Sequence, residues 1–126
     1  MIAFLQEVIQ LYIERGSWFL ELLGAHVRLS AMAILIAGTL GLLIGILLSE
    51  YRKAAPAVIG ICNVFYTIPS ISMLGILIPL LGIGDRNAVT AISIYALMPM
   101  VRNTYTGLVT VDQDILEAAK AMGSTR

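Results

Sequence analysis

Two groups of residues in this 126-residue sequence have types and spacings that can do chemistry, and neither is a catalytic set. The first is Glu117-Ala118-Ala119, followed after three residues by Gly123. Side chains this small let a partner's surface approach a helix backbone, while Glu117 can cap the helix start or accept hydrogen bonds across the contact. That is docking chemistry. The second group is Asn63, Tyr66, Thr67, Ser70 and Ser72, polar groups set around Pro69 in an uncharged stretch, with Tyr95 and Met98 further along. Where proline removes a backbone donor in an apolar setting, such groups either satisfy freed carbonyls or face a water-filled cavity. Both roles are open at this point. Asn63 suits a translocation path or a bond to a neighbouring helix, Ser70 and Ser72 suit either use, and Tyr95 and Met98 suit an aromatic cation-attracting lining or plain core packing.

The rest of the chemical inventory is sparse. There is no phosphate-binding glycine loop, no dinucleotide fingerprint and no cluster with metal-ligand spacing, so no enzyme activity and no cofactor or metal bound by this chain is expected. His26 is the only histidine and suits an interfacial helix start better than a proton relay, and Cys62 suits a small buried hydrophobe. Eight basic and eight acidic residues cancel, leaving no field that points to nucleic acid.

The elements that must position these groups are membrane elements. Hydrophobic residues make up 59% of the chain and charged residues 13%, against about 25% charged in soluble domains. Residues 1–26 interleave Ile2, Leu5, Ile9 and Tyr12 with Gln6, Glu7, Gln10 and Glu14, then Trp18 and Phe19, which suits an amphipathic interfacial segment or, equally, a surface helix packed on the bundle. Ser17 after Gly16 is expected to cap a second short helix within it. A signal peptide is not expected, since Met1 to Gln10 holds Glu7 and no basic residue.

A first span is predicted over 27–49, where Leu29 to Ser49 carries no charge and measures about 31 Å as a helix. Ala33, Ala37, Gly41 and Gly45 recur every four residues along it, a stripe on which another helix backbone can pack closely. After the polar Glu50-Tyr51-Arg52-Lys53 loop, a second span over 54–82 is expected to be interrupted by Pro69 and Pro79. A third, over 87–108, follows the Gly82-Ile83-Gly84-Asp85-Arg86-Asn87 turn, bends at Pro99 and has Arg102 near its end, snorkelling to the interface. Residues 109–126 leave the lipid, and the Asp114 to Glu117 spacing predicts a capping box opening a short helix that stops at Gly123.

The predicted fold is therefore all-α and transmembrane: three spanning helices with the second one broken, an interfacial amphipathic segment before them and a cytoplasmic helix after them. Alternating the spans puts Arg52, Lys53, Arg102, Lys120 and Arg126 on the cytoplasmic side and Arg15, Arg28 and Arg86 outside. The N-terminus is expected outside.

Three stretches in this order resemble one family. Pro99, Arg102-Asn103-Thr104-Tyr105-Thr106-Gly107 and Glu117-Ala118-Ala119 with Gly123 resemble the cytoplasmic coupling loop of bacterial ABC-importer permeases, and Tyr66-Thr67-Ile68-Pro69-Ser70 resembles their broken second span. With His26, Leu29-Ser30 and Asn63-Val64-Phe65 added, the resemblance narrows to the permeases of osmoprotectant importers for glycine betaine, carnitine or choline. The resemblance implies a transmembrane domain in the bacterial cytoplasmic membrane, in contact with lipid. It also implies an ATPase subunit holding ATP and magnesium, a second permease chain, identical or related, and an extracytoplasmic binding protein. Glu117, Ala118, Ala119 and Gly123 would couple to the ATPase. Methionine and polar amino-acid importers share the framework, and these remain alternative substrates.

Such permeases continue past this glycine with further spans, so a chain stopping at Arg126 reads as a truncated product, an expressed fragment or one piece of a split gene. A small membrane interaction protein that transports nothing is the alternative.

Overall fold

A computed structural model describes residues 1–124; Thr125, Arg126 and the Ile2 side chain lie outside the description, and with them the expectations for Arg126 and Ile2. Six helices follow one another: α1 Ile2–Glu14, α2 Gly16–Glu50, α3 Ala55–Thr67, α4 Ser70–Leu81, α5 Asp85–Val109 and α6 Gln113–Ala121. Among the described residues there is no strand.

The 35-residue α2 runs unbroken from the amphipathic segment through the apolar stretch. No boundary falls between residues 26 and 27, and Ser17 caps nothing, because the break lies at Arg15 between α1 and α2. Leu20, Leu22 and Leu23 supply good helix formers across the expected junction, and no glycine pair or proline interrupts them. At about 52 Å, α2 is longer than a hydrocarbon layer of about 30 Å. Tyr12 and Phe19 stack across the α1–α2 break with ring centroids 4.4 Å apart.

The α2–α5 pair is the backbone of the fold and the most extensive helix contact in it. It rests on the small-residue stripe: Ala33, Ala37, Gly41 and Gly45 are all buried. A Cβ placed on Gly41 would come within 2.5 Å of Met100 Cβ, and one on Gly45 within 2.5 Å of Thr104 Cβ. Hydrogen at these two positions is what lets the axes approach. Leu48, Ala55 and Val101 form a small core at one end of the pair, covered by Ile44, Val58, Ile59, Leu97 and Tyr105. At the other end, the Arg28 guanidinium pairs with the Asp85 carboxylate, tying α2 to the first turn of α5.

The other faces are apolar and uncovered. Leu35 is 70% exposed and Leu43 55%, as suits helices bathed in lipid or packed against more protein. Among the described residues, α2 is the one helix long and apolar enough to cross a membrane by itself. The 25 residues of α5 have the length, about 37 Å, but Arg102, Asn103, Thr104 and Thr106 lower its hydropathy.

The expected second interruption is absent. Chain direction turns by 96° between α3 and α4, and the turn lies at Ile68-Pro69 alone; Pro79 sits inside α4. Pro79 lies two residues before Leu81, the end of α4, where it removes a single backbone bond to the preceding turn. Pro69, by contrast, occupies the N-cap of α4, and Ile68 before it is extended, the conformation that a following proline enforces. Helix α5 likewise continues through Pro99. Gly82 and Gly84 take φ of 73° and 132° in the α4–α5 turn, values open to glycine and strained for other residues.

Candidate functional site

The 96° corner creates the site. Below it, α3 and α5 enclose a cleft of about 230 Å³ lined by Asn63, Tyr66, Met98, Pro99, Arg102 and Asn103. Asn63 and Tyr66 are one turn apart on α3, and Met98 and Arg102 one turn apart on α5, so each helix turns a pair of side chains into the same space.

Two cross-helix hydrogen bonds hold the cleft in shape. The Arg102 guanidinium donates to Asn63 Oδ1. Arg102 thus turns across to α3, where Asn63 offers an acceptor within reach. The Tyr95 hydroxyl donates to the carbonyl of Ile68, the residue before Pro69. It is Tyr95, not Ser70 or Ser72, that satisfies the corner, since the serines begin α4 beyond the break and point elsewhere. Tyr66 meets the Tyr95 ring edge-on with centroids 6.0 Å apart, an attractive arrangement for aromatic pairs.

The other sequence-selected groups divide. Thr67 is turned back on its own helix, its hydroxyl donating to Val64 O at 2.7 Å. Ser70 lies on the far side of Tyr95, in a separate apolar depression with Leu74, Ala88, Ala91 and Ile92. Ser72 is exposed and lines neither.

Removing the Tyr95 hydroxyl tests the corner. Tyr95→Phe keeps the ring against Tyr66 but leaves the Ile68 carbonyl without its donor, so stability is expected to fall by about 1–3 kcal/mol. A thermal unfolding midpoint in detergent checks this; an unchanged midpoint contradicts the role.

Asn87, read from the sequence as part of the charged turn, is buried instead. It is 4% exposed, and its amide donates to Leu74 O and Gly82 O, both at 3.1 Å, pinning the end of α4 to α5. The only signal was an amide directly after Asp85-Arg86, which does not distinguish a buried clamp from a surface group.

At the other end of α5 the chain turns at Thr110 and starts α6, none of whose residues is buried. Its cap differs from the expected box. Asp112, extended, is the N-cap, and its carboxylate accepts the Asp114 backbone N–H at 3.0 Å. The helix thus begins one residue before Asp114, and Glu117 lies in mid-helix with its carboxylate free of the start. The stop is as expected: Gly123 has φ of 89°, its N–H bonds Lys120 O and the Ser124 N–H bonds Ala119 O, both at 3.0 Å. This pair of bonds around a left-handed glycine closes the helix. Glu117, Ala118 and Gly123 are exposed and Ala119 half-buried, so the Glu-Ala-Ala segment stands clear of the body.

A broken apolar unit against a tightly packed helix pair, ending in an exposed capped helix, is matched by one family model. The model of binding-protein-dependent transport system inner membrane components covers residues 20–126. The chain belongs to that family. Among curated relatives, the Bacillus subtilis choline transport system permease protein OpuBD is 34% identical over 97% of this chain and 54% of its own length. The glycine betaine/carnitine/choline transport system permease protein OpuCD of the same organism is 34% identical over 97% of this chain and 53% of its own. The osmoprotectant import permease protein OsmW of Salmonella typhimurium is 34% identical, over 94% and 58%. The chain spans about half the length of the curated relatives it matches. No solved structure matches it. As an inner membrane transport component, the chain is a membrane protein, and its kin are permease proteins, not enzymes.

Proposed function

We propose that this chain is part of the permease of an osmoprotectant ABC importer, carrying glycine betaine, carnitine or choline inward while a separate ATPase subunit hydrolyses ATP. The observation that carries the proposal is α6: an exposed helix, capped at both ends, bearing Glu117-Ala118-Ala119 and Gly123 and joined through a short turn to α5. Because α5 is locked on α2 through Gly41 and Gly45, a push on α6 tilts a stiff pair. The ATPase docks on α6, and ATP and magnesium stay in that partner. A second permease chain completes the pore, and an extracytoplasmic binding protein delivers the solute.

In this assembly α2, the bent α3–α4 unit and α5 are the three membrane crossings. The N-terminus is outside, and the 51–54 turn and α6 are cytoplasmic. Asn63, Tyr66 and Tyr95 belong to the translocation path, where side-chain polarity at a helix break faces water. Thr67 and Ser70 flank it, while Ser72 is not among the residues that line the cleft.

Orientation is tested by labelling single cysteines in intact cells after Cys62→Ser. Ser17→Cys is expected to react with an impermeant maleimide and Ser124→Cys only after permeabilisation; the reverse pattern contradicts the assignment. Function is tested by uptake of labelled glycine betaine, carnitine, choline and methionine by cells expressing the complete transporter. Uptake of at least one osmoprotectant supports the proposal, and uptake of methionine alone overturns it.

A further inference from the structure

Arg102 brings a full positive charge to the α3–α5 cleft, and that charge is not neutralised. Among the described residues the one ion pair joins Arg28 to Asp85, at the opposite end of the α2–α5 pair. The partner of Arg102 is the neutral amide oxygen of Asn63. A guanidinium carries five donors in a planar fork, so most of its donors stay available to something entering the cleft. The group that uses a guanidinium best is a carboxylate, which accepts two parallel bonds and cancels the charge.

The same cleft offers a second, different contact. Tyr66 is 59% exposed beside Asn63, and its ring packs at a steep angle on the ring of Tyr95, which is itself fixed by the bond to Ile68 O. An exposed aromatic face attracts an alkylammonium group. Together, a guanidinium without an ionic partner and a steadied ring suit a molecule that carries both a carboxylate and an alkylammonium group. They do not suit a simple cation, which gains at the ring but is repelled by Arg102.

Resting on the permease function proposed above, we infer that Arg102 is a specificity-determining residue: it holds the carboxylate of a zwitterionic quaternary amine passing through the cleft, and Asn63 orients it. The cleft then favours carboxylate-bearing amines such as glycine betaine and carnitine over the carboxylate-free cation choline.

The test measures maximal uptake rates of labelled glycine betaine, carnitine and choline by the complete transporter with its binding protein unaltered, so that differences arise in the permease. Arg102→Gln is expected to lower the two zwitterions at least tenfold while choline uptake holds or rises. Asn63→Asp, which keeps Arg102 but supplies a competing carboxylate, is expected to shift selectivity the same way, and it decides the matter if Arg102→Gln fails to assemble. Equal loss for all three solutes, or unchanged ratios in Asn63→Asp, overturns the inference and leaves the permease function intact. If the unaltered transporter carries none of the three, the function itself fails, and this inference with it.

Discussion

Gly45→Ala is expected to destabilise the protein by about 1–3 kcal/mol, the usual cost of forcing a methyl into a filled contact. The added carbon would stand 2.5 Å from Thr104 Cβ and 2.7 Å from its methyl, and 3.1 Å from the Val101 carbonyl oxygen. Relief requires α5 to move away from α2, which also loosens the contact at Gly41, where the new Cβ would meet Met100 Cβ at 2.5 Å. The double variant Gly41→Ala/Gly45→Ala is therefore expected to lose the α2–α5 pair altogether. Gly38→Ala is the control. It adds the same methyl to the same helix with nothing within 4 Å, and alanine is the better helix former, so its stability is expected to hold or rise. Melting midpoints and the monodisperse fraction in detergent distinguish the sites; equal effects at Gly38 and Gly45 contradict the packing.

Glu117→Lys and Gly123→Trp are expected to weaken association with the ATPase subunit at least tenfold, about 1.4 kcal/mol or more in binding free energy. The two act by different routes. Glu117 is exposed in mid-helix, so reversing its charge alters the docking surface without disturbing the Asp112 cap. Tryptophan at residue 123 adds bulk and is also strained, because φ there is 89° and the two closing hydrogen bonds depend on that conformation. Co-purification of the ATPase with each variant, beside Glu14→Lys on α1 as a charge-matched control, measures the effect. Retained ATPase in both variants sinks the docking role of α6.

Much of the frame was legible because it depends on local spacing. The four-residue recurrence from Ala33 to Gly45 defines one helix face whatever that face meets, and all four of those residues are buried. Gly82, Gly84 and Gly123 mark turns through a backbone property visible in the residue itself. Contacts across the fold were not legible. Arg102 and Asn63 are 39 residues apart, Tyr95 and the Ile68 carbonyl 27, and neither pair is implied by periodicity. Prolines are ambiguous for a related reason: Pro69, Pro79 and Pro99 look alike in the sequence, yet Pro69 starts a helix at the 96° turn whereas Pro79 and Pro99 lie inside helices. The cap was misassigned because Asp112 and Asp114 both precede the helical run, and the extended backbone at Asp112 selects between them.

The central claim is that solute movement is coupled to a partner's ATP hydrolysis through α6. Proteoliposomes containing the complete transporter, with labelled glycine betaine, carnitine or choline supplied on the binding-protein side and ATP on the other, test it most directly. The account predicts accumulation that requires ATP and is lost in Glu117→Lys/Gly123→Trp, although the variant permease still inserts. Accumulation that proceeds without ATP, or that survives both substitutions at the original rate, would contradict it.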